Sequence, residues 1–408
     1  MPGNQLLTIT MITREALMVL ENETVFTKQV NREYSSKFAE DGAKIGTVLN
    51  VRKPPRYIGR TGQGLSLEDA IETSIPVALT TQFGVDIAFT TQDLKLSIDD
   101  FRERFLEPAY ATVANKIDYD GMQLFKQVFN EVGTPGTVPN SLLTYLNAGV
   151  ALDNQAAPRD RSRAMVIGPQ MDATIVDALK GLFHSSSKIE EQYDKGMMGI
   201  TGGWKFSMDQ NTPVFTTGTQ GGTPVLSATV GQTGSSIATT GWTASTLVLN
   251  QGDIVQFAGC YSVNPQNRQS TGILANWVVT ANVTSGSGAG AASIPVAGPG
   301  GLGIVTSGPF QNASASPTAN GAVTVNGATA VTSPRGLGFH KNAFTFVSAD
   351  LPQVGGVDMC GRAGLPQIGL STRIIRAYDI NTDRLPTRTD VLYGWAVLYP
   401  ELACRVAS

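Results

Sequence analysis

Histidine, cysteine and charge are all scarce in this sequence. Its 408 residues include two His and three Cys, and charged residues make up 15%, against ~25% in an average globular domain. His184 and His340 are the only imidazoles, and neither stands in a hydrolase triad pattern, an HExxH helix or a Cys/His metal spacing. Cys260, Cys360 and Cys404 form an odd, widely spaced set without a CxxC pair. Three reduced thiols are therefore expected, rather than a disulfide framework or a thiolate metal site. The net charge of −3 lacks the basic excess of proteins that grip nucleic acid through its phosphates. No run of 18 uncharged apolar residues occurs, since the long uncharged tracts are full of Gly, Ser, Thr and Asn, so no membrane-spanning helix is expected. The first 30 residues lack a basic start followed by an apolar core, and no secretory signal is expected. Residues 298–303 match the letters GxGxxG, but they lack a βαβ context and a following acidic residue ~20 positions on. No GxxxxGK(S/T) phosphate loop is present. The chain is read as a non-enzyme, with no catalytic residue, cofactor or metal site.

What is present is organised in blocks. The length suits two or three domains with buried cores, and 41% of residues are hydrophobic. From residue 219 to 334 only Asp253 and Arg268 are charged. That stretch is crowded with short β-favouring runs, at 246–249, 254–257, 276–279 and 322–325, separated by Gly-rich turns. Such spacing predicts a small β-barrel or sandwich. A flexible linker would leave Trp242, Phe257, Tyr261 and Trp277 unburied, so 219–334 is read as an inserted β-barrel domain.

Residues 1–38 read as an N-terminal arm with one amphipathic helix starting near Thr13, carrying Ile12, Ala16, Leu17 and Leu20. Residues 39–92 read as an extended hairpin loop: 45–51 runs up, Lys53-Pro54-Pro55-Arg56 and 59–64 form the tip, and 71–89 returns. Residues 93–135 form a helical region. Ser97 and Asp100 make a capping box ahead of Ile98, Phe101 and Phe105. Pro108 suits the first turn of a second helix, expected over 109–130 and roughly 33 Å long. Val113, Ile117, Leu124 and Val128 would line its buried face, with Asn115, Asp118 and Lys126 on the wetter side. Residues 136–218 and 335–408 read as one α/β domain, interrupted by the insert at a surface loop. Its helices are expected over 141–152 and 171–182, and its strands include 163–167, 204–208, 343–347, 371–378 and 391–398. The fold class is α+β.

The hairpin tip carries Arg52, Lys53, Arg56 and Arg60, and its return begins with Glu68, Asp69 and Glu72. A solvated loop is one reading. The other is a clasp between subunits, in which complementary charge fixes register; ten extended residues reach about 33 Å.

This order of parts resembles the Hong Kong 97-type phage capsid fold. Particular stretches resemble the coat proteins of P22-like short-tailed phages, whose α/β domain carries an inserted β-barrel. They are the run from Pro108-Ala109 through Asn115-Lys116-Ile117-Asp118, residues 164–169, 252–259 and 339–344, and the closing Asp390-Val391-Leu392-Tyr393-Gly394-Trp395 with Pro400-Glu401-Leu402-Ala403. The insert departs from that family in being unusually poor in charge. The resemblance implies a major capsid protein of the virion, assembled in the host bacterial cytoplasm into an icosahedral shell of pentamers and hexamers. It implies a procapsid stage, and the short arm favours a separate scaffolding protein over a fused one. The further partners are a portal protein, an optional decoration protein and packaged double-stranded DNA, touched non-specifically at the inner surface. No membrane is implied. An encapsulin-like nanocompartment shares the fold and is the alternative. A β-rich adhesin would need a secretory signal and a sugar-binding cluster, and neither is visible.

Overall fold

The computed structural model describes residues 24–34, 48–65, 67–90, 107–179, 199–365 and 370–408. The helix expected near Thr13, the capping box at Ser97 and His184 lie outside them. The fold is α+β, mostly strands with few helices, and contacts divide it into two compact units.

The first unit gathers the described parts of Met1–Arg52, Ser74–Gly121 and Phe344–Ala396. Its sheet runs in the order Phe344–Ala349, Arg384–Val397, Leu370–Arg376, Met359–Leu365, and Thr81–Thr90 also pairs with Arg384–Val397. The last pairing is antiparallel and unbroken from Arg384↔Thr90 to Tyr393↔Thr81. Helix α1, Glu107–Met122, opens with Pro108 in its first turn, where the missing N–H is no loss. Tyr110, Val113, Ala114 and Ile117 are buried at the spacing of one helical face. Tyr110 places its hydroxyl 3.4 Å from the Thr372 hydroxyl, and Tyr393 donates to Asp120 Oδ2 at 2.7 Å.

Two expectations for this helix are corrected. It stops at Met122, so it is about 24 Å long, and Gln123–Gln127 tightens into a 3-10 turn, a common way for a helix to end. Val128 is buried but extended, and Leu124 is half-buried. Asp118 is not on a wet side. It is 1% exposed, because its carboxylate accepts from the main-chain N–H groups of Val25 (2.6 Å), Phe26 (3.1 Å) and Thr27 (3.0 Å) and from the Thr27 hydroxyl. The anchored turn sets Phe26 against Trp395 and Phe344, at 5.4 and 5.7 Å between ring centroids. Gly121 permits this approach: a Cβ there would lie 2.6 Å from the Trp395 ring.

The second unit gathers the described parts of Lys53–Thr73, Met122–Ala343 and Val397–Ser408. One mixed sheet runs Glu131–Val132, Ala403–Ala407, Thr332–His340, Arg163–Ile167, Trp204–Met208, Ile200–Thr201. Helices α2, Leu142–Asn154, and α3, Pro169–Leu179, pack on it. Ser141 caps α2 by accepting from the Leu143 N–H. Tyr145, Ala148, Leu152, Met165, Ile167, Met171, Ile175, Trp204 and Phe206 form the core between helices and sheet.

A six-stranded sheet follows within the charge-poor stretch, in the order Val323–Val325, Ile254–Val263, Ser270–Val279, Ala292–Ala297, Ser236–Trp242, Gly222–Leu226. Its outer strands meet at the bridge Val225↔Ala322, and the Leu226 N–H donates to Gly321 O at 2.8 Å. Trp242, Phe257 and Trp277 are buried in its core with Leu226, Ile237, Val279 and Ile294. Tyr261 is 39% exposed instead. The chain enters and leaves this sheet side by side, since Val214–Thr216 pairs antiparallel with Thr332–His340.

Candidate assembly surfaces

No group of three or more His, Cys, Asp or Glu that could hold a metal occurs among the described residues. His340 lies 3.2 Å from both carboxylate oxygens of Asp160. The Ser162 N–H and then His340 hold that carboxyl down at about 2. The contact lies at the end of the strand Thr332–His340. Burial pushes the Cys260 thiol up to about 11, away from the thiolate that reactivity requires.

The hairpin tip is built by its own chain. Strands Val48–Lys53 and Thr73–Ala78 pair, and the loop between them is braced at its neck. Glu68 accepts from the Ile58 and Gly59 N–H groups, each at 2.7 Å, and Arg60 donates to Gly62 O. Arg56 is half-buried, pairs with Glu401 at 3.2 Å and lies over the Phe310 ring. The Lys53 ammonium sits 4.9 Å from the centroid of Tyr399, and burial pulls its pKa down while Glu401 opposes. From the charge-poor stretch, Arg268 donates to Tyr57 O at 2.6 Å. Of the seven charged residues singled out by sequence, Lys53, Arg56, Arg60 and Glu68 make the contacts named above, and Arg52 and Glu72 are engaged within the chain as well. Arg52, Arg60, Glu68, Asp69 and Glu72 are exposed, and so are Leu65 and Leu67, at 81% and 86%.

Beside the charge-poor stretch lies a buried polar cluster that sequence reasoning missed. Arg405 and Arg335 are 0% and 1% exposed in their side chains. Arg405 Nη2 lies 2.5 Å from Glu131 Oε2, and Arg335 Nε lies 3.8 Å from Glu131 Oε1. Arg405 also donates to Gly252 O at 2.6 Å, and the two guanidinium groups cover the rings of Phe125 and Phe215. Asp253 Oδ2 accepts from the Asn250 N–H (2.7 Å) and the Gly218 N–H (3.0 Å), which ties the turn before Asp253 to Gly218. Burial pushes the Asp253 carboxyl up to about 6, against those hydrogen bonds and the Arg405 charge. Asp253 and Arg268 are the two charges of an otherwise uncharged stretch, and each makes a fixed internal contact. That isolation was the only signal available in the sequence.

A third surface lies beside α2. A cavity of about 300 Å³ is lined by Leu146, Gly149, Val150 and Trp204 and by Asp153, Arg159, Arg161 and Arg163. Asp153 takes Arg163 at 2.7 Å and also Arg159, and those two guanidiniums, Arg159 first, hold its carboxyl below the ordinary range.

A protein-family model described as "P22 coat protein - gene protein 5" matches residues 1–405. No curated protein matches. Similar solved structures include Mycobacterium phage Che8, at 12% identity and TM-score 0.47, over 94% of this chain and 92% of that one. Another is the mature capsid of bacteriophage PhiM1, at 10% identity and TM-score 0.41, over 89% and 82%. A third is a virus-like particle from Pyrococcus furiosus, at 8% identity and TM-score 0.38, over 97% of both chains.

Proposed function

This chain belongs to the P22 coat protein family, and from that membership we propose how it works as a capsid subunit. It is a major capsid protein, a structural component of the virion shell that associates with copies of itself. The single observation that carries this is the reach of the family match, residues 1–405, which covers both compact units and the charge-poor stretch alike.

The finer reading is ours. The subunits form pentamers and hexamers of an icosahedral, Hong Kong 97-type shell around double-stranded DNA, and they act without catalysis. A separate scaffolding protein directs assembly, a portal protein occupies one vertex, and a decoration protein is an optional addition. The net charge of −3 fits a wall that confines DNA rather than one that condenses it. Residues 1–38 serve as the arm, 39–92 as the extended loop, 93–135 as the spine-helix region, 136–218 with 335–408 as the axial domain, and 219–334 as the inserted barrel. The loop, with Arg52, Lys53, Arg56, Arg60, Glu68, Asp69 and Glu72, contacts neighbouring subunits. Its exposed carboxylates and leucines support that role. Lys53 and Arg56 serve it indirectly, by fixing the tip against Tyr399 and Glu401.

Negative-stain microscopy of the purified full chain, alone and co-expressed with its scaffolding protein, tests the reading. Closed shells of uniform diameter are expected. A monodisperse monomer under both conditions would contradict it.

A further inference from the structure

Two asparagines of this chain stand directly before glycine, in Asn320-Gly321 and Asn326-Gly327, and both pairs continue into alanine. In an Asn-Gly pair the glycine nitrogen can attack the asparagine carboxamide, because no side chain on the glycine crowds the approach. How readily it does so depends on whether the fold leaves both groups free. The two pairs flank the short strand Val323–Val325, and the structure treats them differently.

At the first pair the attacking group is engaged. The Gly321 N–H donates to Thr318 O at 2.9 Å, and Asn320 before it is fixed in the left-handed region at a φ of +57°. At the second pair the chain is held on both sides. The Asn326 N–H donates to Ile254 O at 2.8 Å, and Gln220 Nε2 donates to Gly327 O at 3.2 Å. The two reacting groups between these contacts are free: among the described residues, no hydrogen bond engages the Gly327 N–H or the Asn326 carboxamide. A half-buried main-chain N–H without a partner is uncommon. Nor does the fold tolerate another residue in place of this glycine. Gly327 has a φ of +92°, and a Cβ there would lie 2.6 Å from Pro135 Cγ, so the position requires glycine. Residues 328–330 are exposed, which brings water to the pair.

We propose that Asn326 is a site of spontaneous deamidation in the folded subunit, whereas Asn320 is protected by the fold. The Gly327 nitrogen gives up its proton and bonds to Asn326 Cγ. The Cγ–Nδ2 bond breaks, and Nδ2 leaves as ammonia with that proton. Water then opens the cyclic imide. Cleavage of the bond between nitrogen and Cγ gives aspartate, and cleavage at the Asn326 main-chain carbon gives isoaspartate. No oxidant or reductant takes part. Either product adds a carboxylate to residues 219–334, where Asp253 and Arg268 are the only charges. Isoaspartate also inserts a methylene into the main chain between the contacts to Ile254 and Gln220, so it loosens the fastening of that strand end.

The test holds the purified full chain folded at mildly alkaline pH, and the same protein unfolded in urea. Tandem mass spectrometry of chymotryptic peptides follows the amide-to-acid mass gain at each asparagine. In the folded chain Asn326 should convert several-fold faster than Asn320. In urea, where the two Asn-Gly-Ala sequences are equivalent, the rates should converge. Methyl acceptance by isoaspartate in the folded chain should be lost in Asn326→Gln, whose longer side chain closes the ring poorly, and kept in Asn320→Gln. Equal rates at the two sites of the folded chain, a lead for Asn320, or no conversion at Asn326 would overturn the proposal. A lead for Asn326 that persists unchanged in urea would trace it to sequence rather than to the fold, and would overturn it as well. None of these outcomes depends on whether shells form.

Discussion

Replacing Asp118 with alanine should destabilise the first unit about as much as emptying a buried position on the apolar face of α1. The carboxylate is 1% exposed and gathers four donors, the N–H groups of Val25, Phe26 and Thr27 and the Thr27 hydroxyl. Alanine leaves all four facing a dry space. Each orphaned buried donor costs ~1–3 kcal/mol, but the four share one site and their penalties do not add in full. A total of roughly 3–5 kcal/mol follows from penalties that add only in part. That is a large fraction of the ~5–15 kcal/mol that holds a domain folded. The turn 24–30 also places Phe26 on Trp395 and Phe344, so its release should quench or shift the tryptophan emission. The assay is urea unfolding of the unassembled subunit, with Asn115→Ala on the exposed face of the same helix as reference. That variant should stay within ~0.5 kcal/mol of wild type. If Asp118→Ala and Asn115→Ala unfold at the same urea concentration, the carboxylate does not anchor the arm and the reasoning fails.

Three further outcomes are expected. Ile117→Ala should lose ~2–5 kcal/mol and give insoluble or temperature-sensitive protein, because Ile117 is fully buried; Lys126→Ala, half-buried over the Phe125 ring, should lose no more than ~1 kcal/mol. The Asp253 carboxyl, raised by burial from 3.8 to about 6, binds its proton more tightly when folded. Stability from this group is therefore highest below pH 3.8, falls as pH rises towards 6 and is flat above. Asp253→Asn should flatten that window in a series of denaturation midpoints against pH, and an unchanged slope would exclude Asp253 as its source. Residues 219–334 expressed alone should give a cooperatively unfolding, β-rich monomer, since Trp242, Phe257 and Trp277 are buried among neighbours within that stretch; a random-coil circular dichroism spectrum would count against an autonomous insert.

Much of the local structure was legible in residue order. Pro108 marked the start of α1, and Val113 and Ile117 fell on its buried face as their spacing required. The runs at 254–257 and 276–279 lie inside the strands Ile254–Val263 and Ser270–Val279. These signals are local: a β-branched run or a turn glycine acts through its own backbone and nearest neighbours. The end of α1 was less legible, because nothing between Met122 and Asn130 forbids helix by propensity. Asp118 was misplaced for a related reason. A carboxylate on a helix reads as solvated unless donors are known to meet it, and its donors stand some 90 residues earlier in the chain.

Composition and period alone determined that this is an α+β chain of many short strands, with a charge-poor middle. The tertiary structure decided which charges are spent inside the subunit. Arg56 meets Glu401, Arg268 meets the Tyr57 carbonyl, and Arg335 and Arg405 share Glu131. Sequence could name these residues as charged but could not separate the paired from the presented. A charge is buried only where a partner repays its lost hydration, and in each of these pairs the partner is supplied by a segment more than 200 residues away.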